Sequence, residues 1–200
     1  MLIETVLLLG LMQPQPAAWV PIFDGKTLDG WTSAGFTNPG EVKVENGAMV
    51  LKFGHPLTGA NYTRPMPTAG YEVRFEAQRV NGNDFFASLT FPVGESHATW
   101  VLGGWGGDIV GISSIDGWDA SENETRSYYN FENGRWYRFR LRVTTGRLEA
   151  WIDDERVVNV NIAGREVGLR PGPIRLSLPF GFAAYNATGL LRNIDYRRLK

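Results

Sequence analysis

Cysteine is absent from the 200 residues. Disulfides and thiol chemistry are therefore excluded, and the redox compartment is left open. Histidine is nearly absent: His55 and His97 are the only two, far apart in the chain, and with no cysteine they are a poor basis for a zinc site. Net charge is also lacking, with 20 basic residues against 21 acidic ones. Nucleic-acid-binding surfaces carry a basic excess, so a nucleic-acid partner is not expected. No apolar run reaches the ~18–20 residues that span a bilayer, and no useful window shows helical period.

What is present points to sheets and turns. The chain holds seven Trp, seven Tyr and eleven Phe, with 24 Gly and 11 Pro. Aromatics at this density suit a β core or a stacking surface for sugars. "YEVRFEAQ" sets Val73, Phe75 and Ala77 against Glu72, Arg74 and Glu76. "WYRFRLRV" sets Tyr137, Phe139, Leu141 and Val143 against Arg138, Arg140 and Arg142, and "RLEAWID" alternates in the same way. Period two means half-buried strands. Further strands are expected at "VKVE", "AMVLKF", "FFASLTF", "ATWVLG", "IVGIS", "SYYNF", "RVVNVNI", "IRLSLP" and "LLRNIDYRRL". Turn signals separate them, among them "ENG" at Glu45, "NGND" at Asn81 and "DDE" at Asp153. About a dozen short strands predict an all-β, antiparallel β-sandwich of jelly-roll type. The arginine stripe of "WYRFRLRV" reads best as a solvated sheet face paired with Glu72 and Glu76 across strands.

The amino end, "MLIETVLLLGLMQPQPAAW", has an apolar run from Val6 to Met12 and small residues at "PAA". That is the pattern of an export signal, although Glu4 stands where a basic residue is usual. Residues 1–18 are expected to be a signal peptide or disordered leader. Residues 19–200 are expected to form one domain, secreted or periplasmic.

"SSIDGWDASENET", Ser113 to Thr125, packs four acids, an Asn and a Trp beside the glycine-dense "VLGGWGG". A sugar-site loop, a cation site and a solvated turn all fit that composition. Asp116, Asp119 and Glu124 offer hard oxygen ligands, so a structural Ca2+ is one reading. The spacing is not that of an EF-hand, because Ser121 stands where Gly is required.

Several segments together resemble the 3-keto-disaccharide hydrolase family of exported bacterial proteins. They are "FDGKTLDGW" (Phe23 to Trp31), "VENGAMV", "GRWYRFRLRVTTGRLEAWIDDERVVNV" and "LLRNIDYRRL". The resemblance implies a concanavalin/laminin-G-like jelly roll and a carbohydrate substrate oxidised at C3. The ketone acidifies the hydrogen at C2. A base removes it, the group at C1 leaves, and water adds. That chemistry needs a base, an acid, a group that polarises the ketone and an aromatic floor.

On that reading the catalytic candidates are Glu124 and Asp119 as base and His97 as acid. Trp105 and Trp118 are sugar platforms, and Asp108, Asp116 and Asn123 are further substrate-binding candidates. No metal or cofactor is required. Each candidate has a structural alternative: His97 as a satisfied sheet histidine, Asp116-Gly117 as a hairpin turn, "ASENET" as a polar loop. A glycosidase with paired carboxylates lacks its compact acidic strand pattern here, leaving only Glu122 and Glu124 on one face. The alternative function is a non-catalytic carbohydrate-binding or cell-surface module on the same fold.

Overall fold

The computed structural model describes residues 17–199; nearly all of the expected leader lies outside the described residues. Fifteen strands follow in chain order: β1 Val20–Pro21, β2 Trp31–Ser33, β3 Val42–Glu45, β4 Ala48–Leu51, β5 Leu57–Tyr62, β6 Tyr71–Gly82, β7 Ser88–Val93, β8 Ser96–Gly104, β9 Ile109–Ser113, β10 Ser127–Tyr128, β11 Trp136–Val143, β12 Arg147–Ile152, β13 Glu155–Asn161, β14 Gly181–Tyr185 and β15 Ala187–Arg198. They form two antiparallel sheets. One runs β13-β12-β11-β6-β15-β4-β3, with β1 on β15; the other runs β10-β9-β8-β7-β14-β5-β2. The sandwich is the jelly roll that the alternation predicts. Among the described residues, no helix is long and apolar enough to cross a membrane.

The first sheet follows the period-two pattern closely. Val73, Phe75 and Ala77 of β6 lie opposite Leu141, Phe139 and Tyr137 of β11, all buried. They meet the second sheet through aromatic contacts. Phe75 packs on Phe182 at 4.8 Å between ring centroids, and Trp100 on Phe139 at 5.7 Å. Offset and edge-on rings of this kind add specific attraction to the area they bury.

The second sheet departs from simple alternation because both its faces are covered. Every residue of β7 is buried, as are the last seven of β8. Its outer face lies under the segment after β9 and a strap, residues 163–178, between β13 and β14. Ser114 N–H donates to the Gly168 carbonyl at 2.7 Å, and Gly168 N–H donates back at 3.1 Å. The Asn61 amide donates to the Leu176 carbonyl at 2.7 Å. Two expected strands are corrected here. "IRLSLP" is a 3-10 turn over Pro173–Ser177 in the strap, and "SYYNF" keeps only Ser127–Tyr128 as strand. Pro173 and Pro179 bracket the first and remove two ladder donors.

The arginine stripe pairs as expected: Arg142 stands opposite Glu72, and Arg138 opposite Glu76. Glu72 is nonetheless not solvated, since its side chain is 0% exposed. One carboxylate oxygen accepts from Arg140 at 3.1 Å and Arg142 at 2.7 Å, and the other from Arg197 at 2.6 Å. Burial alone would raise its pKa; the Arg142 and Arg197 bonds overcome that and hold it below the usual 4.5. A carboxyl with a depressed folded pKa contributes stability above its unfolded value, and that contribution fades as pH falls through the folded one. Glu72→Gln is therefore expected to lower unfolding free energy by about 3 kcal/mol at pH 7. The gap to wild type should narrow below pH 4.5, as read by denaturant unfolding across pH.

Candidate functional site

A groove of about 430 Å³ lies on the outer face of the second sheet. Alternation places it there: Ala98, Trp100 and Leu102 of β8 face the core, so Thr99 and Val101 face outward. Ser88 of β7, Ser113 of β9, Leu57 of β5 and Tyr185 of β14 complete the floor. The register sets Thr99 beside both Thr90 and Ser113, and the two threonine hydroxyls bond at 3.0 Å. The strap forms one wall with Arg170, Pro171, Pro173 and Ile174. The turns after β6 and β8 form another, with Asp84, Phe85 and Trp105.

Among the described residues, Asp84 is the only carboxylate lining the groove. One of its oxygens accepts the Phe85 N–H at 2.7 Å, and the other the Gly106 N–H at 3.2 Å. Burial pushes its pKa above the ordinary 3.8, and these bonds only partly offset the shift. Trp105 is 41% exposed, with φ at 50°, a conformation that bulky residues seldom adopt outside special sites. The guanidinium of Arg170 lies 5.5 Å from its ring centroid. Arg170 is in turn paired with Asp119 at 3.2 Å, and the other Asp119 oxygen accepts the Ser113 hydroxyl at 2.9 Å. Asp119 thus fixes both the strap and a hydroxyl of the groove floor. The site can hold an apolar ring face, offer hydroxyl and guanidinium donors to oxygens, and move a proton at Asp84.

The residues singled out in the sequence fall in three places. Trp105 lines the groove, and Asp119 stands at its margin through Ser113 and Arg170. His97 shares the outward face of β8 with Thr99 but lies outside the lining; burial lowers its pKa. The rest lie elsewhere. Glu124 and Asp116 both pair with Arg165, which holds each carboxyl below its ordinary range. Asp116-Gly117 is a hairpin turn with both φ positive, bridged by Ile115 and Trp118. Trp118 is 59% exposed and Asp108 is exposed, and neither lines the groove. Among the described residues, no three His, Asp or Glu side chains converge as a metal-holding group.

Asn123 is buried, and its amide is spent inside the protein. It donates to the Ile112 carbonyl at 2.8 Å and the Trp118 carbonyl at 2.9 Å. Its oxygen accepts from the Thr125 N–H at 2.9 Å and the Thr125 hydroxyl at 2.6 Å. It staples the acidic loop to β9. Asn123→Ala is expected to cost about 2 kcal/mol, because buried donors and acceptors lose partners; urea denaturation checks this.

Sequence reasoning missed Asp84, Phe85 and Arg170. Asp84 sits in "NGND", which reads as turn punctuation, and only its burial marks it. Arg170 belongs to a strap whose path across the sheet has no local signal.

Comparison with known proteins agrees with this architecture. The fold matches many solved structures, among them the carbohydrate-binding module CBM66 from Bacillus subtilis, domain 4 of the extracellular arabinanase AbnA from Geobacillus stearothermophilus, and a prokaryotic β-1,3-1,4-glucanase from a mouse hindgut metagenome. The CBM66 match has 14% identity over 84% of this chain and 95% of that one, with a TM-score of 0.56. The AbnA domain, solved with arabinotriose, has 14% identity over 84% and 82%, with a TM-score of 0.57. The glucanase has 10% identity over 84% and 93%, with a TM-score of 0.52. No curated protein matches by sequence. Residues 18–194 match the 3-keto-alpha-glucoside-1,2-lyase-like domain, nearly the whole chain, and the protein belongs to that family.

Proposed function

We propose that the protein cleaves a 3-keto-glycoside in the groove by acid/base chemistry, with Asp84 as the proton-transfer group. The observation that carries this is a single, partly buried carboxylate of raised pKa in an aromatic groove that also holds a guanidinium. A conventional glycosidase needs two carboxylates flanking the bond. Elimination needs one base and one electrophile.

In the proposed reaction the sugar ring lies on Trp105 and Phe85. The Asp84 carboxylate takes the proton at C2. The C2–H electrons shift toward the 3-ketone, whose oxygen gains charge beside Arg170. The C1–O bond then breaks, and the leaving oxygen takes a proton from protonated Asp84 or from water. Water adds to the resulting double bond at C1, giving net hydrolysis. A raised pKa makes Asp84 a stronger base than an ordinary Asp. Asp119 holds Arg170 and Ser113 in place.

The binding-module reading rests on the groove's mostly apolar and aromatic lining, which would hold a sugar with or without turnover. Asp84→Asn separates the two. It is expected to lower kcat on a 3-keto-disaccharide at least ~100-fold, with folding intact by circular dichroism. Glu124→Gln should stay within about twofold, as surface pairs contribute little. The acid limb of kcat/KM in the wild type should lie above pH 3.8, because Asp84 must be ionised to act. Undiminished turnover in Asp84→Asn would remove Asp84 from the reaction. No turnover by wild type on any keto-sugar, with sugar binding retained, would favour the module.

A further inference from the structure

Arg79 occupies a position that the strand pattern reserves for an apolar side chain. Tyr71, Val73, Phe75 and Ala77 of β6 all point into the sandwich, and Arg79 is next in that series. A bulge against β15 follows at once: Gly189 pairs with Arg79 and Thr188 with Asn81, leaving Val80 unopposed. Arg79 is 8% exposed. Its guanidinium donates to the Asn133 side-chain oxygen at 2.6 Å, the Phe131 carbonyl at 2.6 Å and the Gly107 carbonyl at 3.4 Å. Among the described residues, it makes no ion pair with a carboxylate. A buried cation without a counter-ion is costly, and such charges mark functional sites more often than ordinary core positions.

Its two shorter bonds anchor it to the Phe131–Asn133 segment before β11, and the third reaches the turn that carries Trp105. Asp84 accepts the N–H of Gly106, and Arg79 donates to the carbonyl of Gly107, the next residue. The two side chains grip one turn from opposite sides, Asp84 from the groove and Arg79 from the interior. The fit is close. A Cβ on Gly107 would lie 2.8 Å from the Asn83 carbonyl and 3.0 Å from Arg79 Nη1, at a φ of 113° that favours glycine.

We propose that Arg79 is a positioning residue for the groove: it fixes the Trp105 turn from within and sets a permanent positive charge against the Asp84 carboxylate. The proposal rests on the reading of Asp84 as the proton-transfer group. The charge opposes the rise that burial imposes on Asp84 and so favours the ionised carboxylate. Other charged or titratable groups face the pair. Arg170 approaches the groove from the strap. Tyr137 of β11 faces Arg79; its hydroxyl accepts the Glu132 N–H at 2.8 Å, and Arg135 lies 4.5 Å from its ring centroid.

The test is a 13C-carboxyl NMR titration of Asp-labelled protein, with the Asp84 resonance assigned by its loss in Asp84→Asn. In Arg79→Gln the Asp84 midpoint should rise by about 1 unit, as expected for losing a nearby opposite charge. In Arg79→Lys, which keeps the charge and loses the three-way fork, the midpoint should stay near wild type. In that variant the Gly106 and Gly107 amides should exchange faster. An unchanged midpoint in a folded Arg79→Gln protein would overturn the inference. If that variant does not fold, Arg79→Lys decides alone: a midpoint shift of a full unit, or unchanged exchange at both glycines, would overturn it. The titration needs no turnover. A midpoint that moves with Arg79 while Asp84→Asn remains active would therefore uphold the coupling and overturn only the catalytic reading of Asp84.

Discussion

The desolvation of charge governs this sandwich. Glu72, Arg79 and Asp84 are charged side chains set where water has limited access, and the fold treats them differently. Glu72, on the outer face of the first sheet, is wrapped by Arg140, Arg142 and Arg197, and its pKa falls despite burial. Asp84 and Arg79 have no close ion pair of that kind; their partners offset burial only in part, and burial shifts both toward their neutral forms. The first charge stabilises the sheet. The other two are costly to the fold; Asp84 lines a groove with an aromatic wall, the setting in which perturbed groups tend to do chemistry, and Arg79 lies behind the turn that forms part of that wall.

The groove exists because the second sheet is covered on its outer face. The strap and the loop after β9 bury Thr90, Thr99 and Ser113 and leave one opening between Trp105, Phe85 and Arg170. The Asp119–Arg170 pair and the Ser113 hydroxyl tie that cover to the floor. The acidic loop is thus divided by role. Asn123 staples it, Asp116 and Glu124 pair with Arg165 away from the groove, and Asp119 reaches the groove margin.

How much of this was legible in the sequence follows from which faces are wet. β6, β11 and β12 alternate because one face meets the core and the other meets solvent and charge, so their pattern is explicit. β5 and β14, "LTGANY" and "GFAAY", are buried nearly throughout, so they show no alternation and give no strand signal. "IRLSLP" alternates in letters yet forms a turn, with Leu176 exposed in the strap. Trp105 and Asp119 were visible as an aromatic among glycines and an acid in a loop. Asp84 and Arg79 were not, because their significance is burial, which only the packed chain reveals. Arg170 was hidden because its partners lie some fifty residues away.

The central claim is that sugar binds over Trp105 in the Asp84 groove, and not on the acidic loop. The most direct measurement is 15N-indole NMR of the tryptophans during titration with sucrose. That α-glucoside lacks the 3-ketone and so cannot undergo the elimination. A saturable shift of the Trp105 indole is expected, with Trp118 unmoved. A shift of Trp118 with Trp105 unchanged would contradict it.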